Sequence, residues 1–246
     1  MKIETAGKTM VKPVVSDFEA TYIALRRKES RIYTNEQVRR LPDIEPSHPH
    51  YSEWLARIRS TRKLVGYLRK KNRPLKILEV GCGNGWLSSR LAEIHNSRVI
   101  GLDVNLVEIQ QAEETFDLEN LRFLHDEIET GRLPKNIFDI VVFAASIQYF
   151  KTLDEVVRIA TSFLNSRGEI HILDAPFYDA DEVLNAALRS QQYYQSMGFP
   201  QMADYYFHHQ WEELKNYRYK ILYHPRWLIN RLWKPVNNFP WIRIKT

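Results

Sequence analysis

Three glycines and two acids carry the clearest chemistry in this chain. Gly81, Gly83 and Gly85 stand at alternate positions in the segment KILEVGCGNG, residues 76–85. They follow a short apolar run and open a helical pattern. A turn between strand and helix needs glycines so that the backbone can bend sharply and come close to a ligand. Eighteen residues past Gly85, at the end of the next apolar run, stands Asp103. An acid there can accept two hydrogen bonds from a ribose diol. Together these features point to an adenosine-containing ligand across the carboxyl ends of two neighbouring strands.

The flanking residues narrow the ligand. A dinucleotide fingerprint, G-x-G-x-x-G counted from Gly81, would put its third glycine where Trp86 stands. An indole there is a poor neighbour for pyrophosphate. No G-x-x-x-x-G-K-[ST] occurs at this site, which excludes a P-loop. Glu79, two residues before Gly81, repels pyrophosphate and suits a ligand carrying an ammonium or a sulfonium. A nicotinamide-dependent oxidoreductase is disfavoured on both counts.

Positioning these residues requires strands that alternate with helices. Apolar runs rich in β-branched residues fall at Leu75–Val80, Val99–Leu102, Leu121–Leu124, Ile140–Phe143 and Glu169–Leu173. Helical patterns lie between them at 85–95, 105–115 and 153–164, the last with Leu153, Val156, Val157, Ala160, Phe163 and Leu164 on one face. Such alternation predicts a parallel sheet with helices on both sides. The continuous apolar strands fit burial on both faces. Upstream, 16–29 reads as a short helix, 35–50 as an extended segment with three prolines, and 51–71 as an amphipathic helix. Residues 1–15 read as frayed. Downstream, Asp179–Ser196 reads as a helix, Tyr219–Tyr223 and Trp241–Ile244 as late strands, and Pro225–Trp233 as a helix opened by its proline.

The order of these motifs resembles the class I S-adenosylmethionine-dependent methyltransferases, in particular the small-molecule group. The match runs over about residues 51–175. Glu79, Gly81, Cys82, Gly83 and Gly85 resemble that family's first motif. Asp103, followed by Val104, resembles its ribose-binding acid. Asp126 and Glu127 resemble the acidic pair beside the adenine, with Asp126 taking the exocyclic amine. Phe138-Asp139-Ile140-Val141-Val142 resembles the fourth-strand motif, and the stretch Ala144 to Tyr149 would form the wall near the transferred methyl. Gly168-Glu169 resembles the turn into strand five. The resemblance implies a three-layer α/β Rossmann-like sandwich on a mostly parallel, seven-stranded sheet. It also implies S-adenosylmethionine as cofactor and S-adenosylhomocysteine as product.

Several of these residues have a plainer reading. Asp103 would serve as a helix N-cap, Asp126 as a surface acid, and Glu79 as an edge charge. Cys82 has no histidine or basic partner near in sequence and reads as a small filler rather than a nucleophile.

Methyl transfer is an in-line displacement at carbon, and its sulfur leaving group needs no acid. Alignment and water exclusion supply much of the rate. A base is needed only for a weakly acidic acceptor or an ammonium. Candidate bases or gates are His171 and Asp174 at strand five, Tyr149 after strand four, and His208 and His209 in YYFHHQW, residues 205–211. No metal site is expected, because adjacent histidines point apart on a helix and no nearby acid completes the ligand spacing.

The ends are expected to complete the acceptor side. Residues 1–50 read as an extension that folds over the cofactor as a lid, as related enzymes have. Tyr51 and Arg57 are candidate contacts to the cofactor carboxylate, with Tyr33 a further one; a solvated helix start is the alternative. Residues 51–246 read as the catalytic domain, with core motifs in 75–175 and acceptor-side elements in 176–246. Trp211, Trp227, Trp233 and Trp241 are four of the six tryptophans, and they suit an apolar or aromatic acceptor or ordinary packing. Contact of this Trp- and Arg-containing end with a membrane surface is a further alternative.

Composition bounds the rest. The lone cysteine excludes an internal disulfide framework and a Cys-rich zinc module. No stretch approaches the roughly 20 apolar residues of a membrane span, and the N-terminus lacks the apolar core of a secretory signal. A soluble, cytoplasmic protein is expected. The net charge of +5 hides +9 over residues 1–75, −7 over 76–178 and +3 over 179–246. The basic ends interleave cations with apolar residues at helical spacing, which fits solvated helix faces better than a nucleic-acid arm. After strand four stands Ala144-Ala145-Ser146-Ile147, not the D/N-P-P-Y tetrad of many base N-methyltransferases. The expected function is therefore methylation of a small molecule at an O, N or C atom, without a nucleic-acid partner. RNA or protein methylation, or a non-catalytic protein keeping the cofactor fold, are the alternatives.

Overall fold

Seven strands form one sheet in the order β3-β2-β1-β4-β5-β7-β6. The computed structural model describes residues 17–227 and 239–245. Strands β1 (Leu75–Val80), β2 (Ser97–Asp103), β3 (Leu121–His125), β4 (Phe138–Ala144) and β5 (Leu164–Leu173) run parallel. Strand β7 (Trp241–Lys245) lies antiparallel between β5 and the edge strand β6 (Arg218–Tyr223). The order reverses between β1 and β4, and the crevice at the carboxyl ends of such neighbours is where open α/β sheets take their ligands.

The helices lie on both sides for the reason the strands predicted. In β1, Leu75 and Ile77 face the core that holds Trp54, Leu64 and Leu68 of α3 (Tyr51–Arg69) and Leu91 of α4 (Trp86–Ala92). Leu78 and Val80 face the other core, with Val156, Val157, Ala160 and Phe163 of α6 (Leu153–Phe163). Alternate residues of one strand thus serve two cores, so the run is apolar throughout. Helix α5 (Leu106–Thr115) begins at Asn105, whose side chain caps Val107 and Glu108.

Three stretches differ from the sequence expectation. Residues 35–50 are not wholly extended, because Asn35–Arg40 forms the short helix α2. Its start is a capping box: the Thr34 hydroxyl accepts from Gln37 N, and the Gln37 side chain accepts from Thr34 N. That spacing stood in the sequence, overshadowed by the prolines that follow. The helix expected from Asp179 starts later, as α7 (Val183–Ser196). Pro225–Trp227 is a turn, and the remainder of the helix expected there lies outside the described residues, as do residues 1–15. The expected helix at 16–29 is α1 (Asp17–Lys28). A small third core joins Leu25 of α1 to Tyr194 of α7 and Met202.

Candidate active site

The loop between β1 and α4 is held from three directions. Gly81 N and Cys82 N both donate to Leu102 O of β2, at 2.8 and 3.0 Å. Gly83 N donates to Asp103 Oδ2 at 2.7 Å, and Asn105 N donates to Asp103 Oδ1 at 2.8 Å. Ser146, just past β4, donates its hydroxyl to Val80 O at 2.6 Å. Gly81, Gly83 and Gly85 all have left-handed backbones, with φ of 73°, 51° and 76°. At Gly85 a Cβ would stand 2.5 Å from the Phe123 ring and 2.9 Å from Ala112, so the loop lies directly on β3 and α5.

Beside this loop opens a small cavity of about 100 Å³. Its floor is Glu79, Gly81, Cys82, Gly83, Asn84 and Trp86, with Ala144 and Ala145 from the end of β4. Glu108 of α5 forms its acidic side. Trp54 and Arg57 enter from α3, Tyr33 and Arg31 from the segment before α2, and Tyr22 and Arg26 from α1. Trp86 packs edge-on against Trp54, with ring centres 5.2 Å apart.

Charge divides this cavity into two halves. On one side, Glu79 is buried and accepts from the Ser88 hydroxyl at 2.5 Å. Burial pushes its carboxyl up to about 8. Burial and the adjacent Asp103 push Glu108 up to about 7. Burial also raises Asp103, against the pull of the backbone hydrogen bonds from Asn105 and Gly83. The other side is cationic. Arg31 grips Glu53 through two bonds of 2.6 and 3.0 Å, and Arg57 bonds the same carboxylate at 2.9 and 3.1 Å. Arg26 pairs with Glu29 at 3.0 Å. Burial would raise Glu53, but the two guanidiniums hold it down at about 2. An acidic half and a guanidinium half fit a ligand with a cation at one end and a carboxylate at the other.

The structure gathers part of the sequence-selected set. Glu79, Gly81, Cys82, Gly83, Arg57 and Ala144 line the cavity, and so does Tyr33. Gly85 and Asp103 shape the loop from behind. Cys82 is buried, its thiol raised by burial, which suits a filler rather than a nucleophile. Tyr51, Val104, Asp126 and Glu127 are not among the described residues that line the cavity. Asp126 is nonetheless adjacent: its N donates to Asp103 O at 3.1 Å. Its carboxylate accepts from Glu127 N at 2.9 Å and pairs with Arg132 at 2.8 Å. Val104 O accepts from His125 Nε2 at 2.8 Å.

The candidate bases scatter. His171 has no exposed surface and lies within the sheet, where Trp241 Nε1 donates to its Nδ1 at 3.0 Å and Glu169 stands 3.4 Å from its Nε2. Burial holds its imidazole below the usual range despite Glu169. His209 is buried, with Nε2 on Ile147 O at 3.1 Å. His208 pairs with the Ser190 hydroxyl at 2.9 Å. Asp174 accepts from the Ser60 hydroxyl at 2.8 Å. Tyr149 meets residues lining the cavity: Arg26 donates to its hydroxyl at 3.3 Å, and its ring packs on Tyr22.

Sequence reading missed Tyr22, Arg26, Arg31 and Glu108; Asn84 lay within the first motif and also lines the cavity. For Glu108 a signal existed, since it stands five residues after Asp103 in the first turn of α5. For Tyr22, Arg26 and Arg31 none did, because no ligand-binding motif precedes Glu79. Among the described residues no group of acids, histidines and cysteine could hold a metal ion, and no helix is long and apolar enough to cross a membrane.

The fold and site define a Rossmann-like methyltransferase with a seven-stranded, mostly parallel sheet. Residues 71–224 match the model of the methyltransferase domain family, and the chain belongs to that family. Curated relatives include an uncharacterized methyltransferase of Mycobacterium bovis, 35% identical over 75 residues, which are 30% of this chain and 38% of that one. A malonyl-[acyl-carrier protein] O-methyltransferase of Acetivibrio thermocellus is 32% identical over 95 residues, 38% of this chain and 33% of that one. The chain thus spans a little over a third of the length of the curated relatives it matches. Among solved structures, magnesium protoporphyrin IX methyltransferase of Synechocystis PCC 6803, with bound S-adenosylhomocysteine, aligns with a TM-score of 0.58 at 12% identity. That alignment covers 93% of this chain and 94% of the other. The plantazolicin methyltransferase BpumL aligns with a TM-score of 0.55 at 15% identity, over 94% and 98% of the two chains.

Proposed function

We propose that this enzyme methylates a small-molecule acceptor bound beneath helix α1. The observation that carries the reading is that α1 roofs the crevice. Tyr22 and Arg26 line the cavity. Glu19 accepts from Leu106 N at 3.3 Å, at the start of α5. The aromatic rings of Phe18, Tyr22, Tyr149, Tyr205 and Tyr206 pack together beside it. A roofed, aromatic-lined site admits a small molecule more readily than a folded RNA or protein surface. The neighbours named as protoporphyrin and plantazolicin methyltransferases support the same class.

In this reading the residues at the crevice hold the cofactor, and the bound cofactor supplies an electrophilic methyl group. The left-handed loop at Gly81–Gly85 lets the backbone approach it. Asp103 receives the ribose hydroxyls on the lone pairs its backbone bonds leave free, and Asp126 adjoins the adenine. Arg57 takes the carboxylate, and Glu79 faces the ammonium. Ala144 and Ala145 leave room at the reacting carbon. Rate comes from alignment and exclusion of water beneath α1. In this reading α1 is the described part of the expected lid and forms the roof. The cavity is small beside the roughly 300–1,000 Å³ of ordinary ligand pockets, and α1 is the element whose displacement would enlarge it.

The test is transfer of radiolabelled methyl from S-adenosylmethionine into a cell extract, followed by separation of low-mass compounds, RNA and protein. Label in the low-mass fraction is expected. Label confined to RNA or protein would sink the small-molecule reading and leave the methyltransferase.

A further inference from the structure

The acidic half of the cavity contains acceptors that the protein leaves without donors. Glu108 lies in the first turn of α5, with Oε2 3.0 Å from where a Cβ on Gly83 would stand. Its carboxylate receives no hydrogen bond and forms no ion pair among the described residues. The other two acids are engaged. Asp103 accepts from Gly83 N and Asn105 N on its two oxygens, and Glu79 accepts from Ser88. Asn84, next to Gly83 and also lining the cavity, has a buried Oδ1 with no hydrogen-bond partner. Two unmatched acceptors therefore flank Gly83. The buried Asn84 Oδ1 is costly until it finds a donor, and the half-buried Glu108 carboxylate stands open to one.

Resting on the assignment of this cavity to the cofactor, we propose that Glu108 is a specificity-determining residue that selects the charged methyl donor over its neutral product. With Asn84 it accepts from hydroxyl or ammonium donors of the ligand. Its charge does a second thing. Asp103 repels Glu108 while Arg26 across the cavity attracts it, and a ligand with net positive charge relieves the repulsion that remains. S-adenosylmethionine carries one positive charge more than S-adenosylhomocysteine, at the sulfur. Both ligands offer the same donors, so hydrogen bonding alone does not separate them. The carboxylate does, and it speeds the departure of product.

Calorimetric titration of both ligands into the wild type, Glu108→Gln, Glu108→Asp and Asp103→Asn tests this. Glu108→Gln keeps the shape and removes the charge. It should lose about tenfold in affinity for S-adenosylmethionine, about 1.4 kcal/mol, and roughly threefold or less for S-adenosylhomocysteine. Glu108→Asp should recover part of the preference. Equal losses for the two ligands, or none, would overturn the proposal, because a packing role moves both together. If Asp103→Asn weakens both ligands while Glu108→Gln binds as the wild type does, the cofactor assignment stands and the role of Glu108 falls. If Asp103→Asn also binds normally, the assignment of the cavity falls with it.

Discussion

Gly83 donates its backbone N–H to the Asp103 carboxylate across 2.7 Å. The acid that ends β2 is therefore also the clamp that shapes the loop after β1. If the same carboxylate also receives the ribose, as proposed, its removal should change both loop stability and ligand affinity.

Asp103→Ala should weaken S-adenosylmethionine binding by about 1–3 kcal/mol, the scale of lost hydrogen bonds to a charged group. It should also lower the Tm of the ligand-free protein, because Gly83 N and Asn105 N lose their acceptor. Titration and a melt together check this; an unchanged affinity would remove the ribose assignment.

Gly83→Val should abolish cofactor binding. The backbone there has φ of 51°, a region costly for a β-branched residue. A Cβ would also meet the Glu108 carboxylate at 3.0 Å, on the acidic side of the cavity. The strain is local, so circular dichroism should report a folded protein. A folded variant that still binds tightly would mean the loop does not face the ligand.

The two raised acids make stability and affinity run in opposite directions with pH. Glu79 at about 8 and Glu108 at about 7 sit above the ordinary carboxylate value, so the folded ligand-free protein holds protons that the unfolded chain releases. Their contribution to stability is complete below the unfolded pKa and is lost as pH rises toward 8. The Tm of the ligand-free protein should fall over that range, and Glu79→Gln should flatten the fall. Affinity for the cationic cofactor should rise over the same interval, since binding favours the ionised acids. The lowered His48, His171, His208 and His224 act in the opposite sense below about pH 6.5, so the decisive window lies above them: a ligand-free Tm that rises between pH 7 and 8 would contradict the assignment.

His171→Ala should act on stability and leave chemistry in place. It strands the buried Trp241 N–H, which donates to Nδ1 at 3.0 Å. An unsatisfied buried donor costs about 1–3 kcal/mol, and each kcal/mol shifts Tm by about 2–4 °C at this size. Turnover per folded molecule should stay within about twofold, an amount under 0.5 kcal/mol. A loss of turnover without loss of stability would return His171 to the list of bases.

Trypsin reports on α1. Arg26, Arg27 and Lys28 end that helix, and Arg26 reaches Tyr149 at 3.3 Å. If α1 withdraws and returns around the ligand, saturating S-adenosylhomocysteine should slow cleavage at these three residues several-fold. Equal cleavage with and without ligand would separate α1 from cofactor entry.

The strands, the glycine loop and Asp103 were legible in one dimension because each is local physics. Burial on two faces forces apolar runs, and positive φ forces glycine at Gly81, Gly83 and Gly85. The same locality explains the errors. Prolines at 42, 46 and 49 outweighed the Thr34–Gln37 capping box, and His171 stood among the candidate bases because a histidine near a strand end looks the same buried or exposed. What only the tertiary structure decided is who meets the loop from afar. Arg26 and Tyr22 reach it across more than fifty residues of chain, carried there by the packing of Leu25 against Tyr194 and Met202. Such contacts have no period and no motif. They are set by which surfaces bury each other, and that is a property of the whole fold rather than of neighbours along the chain.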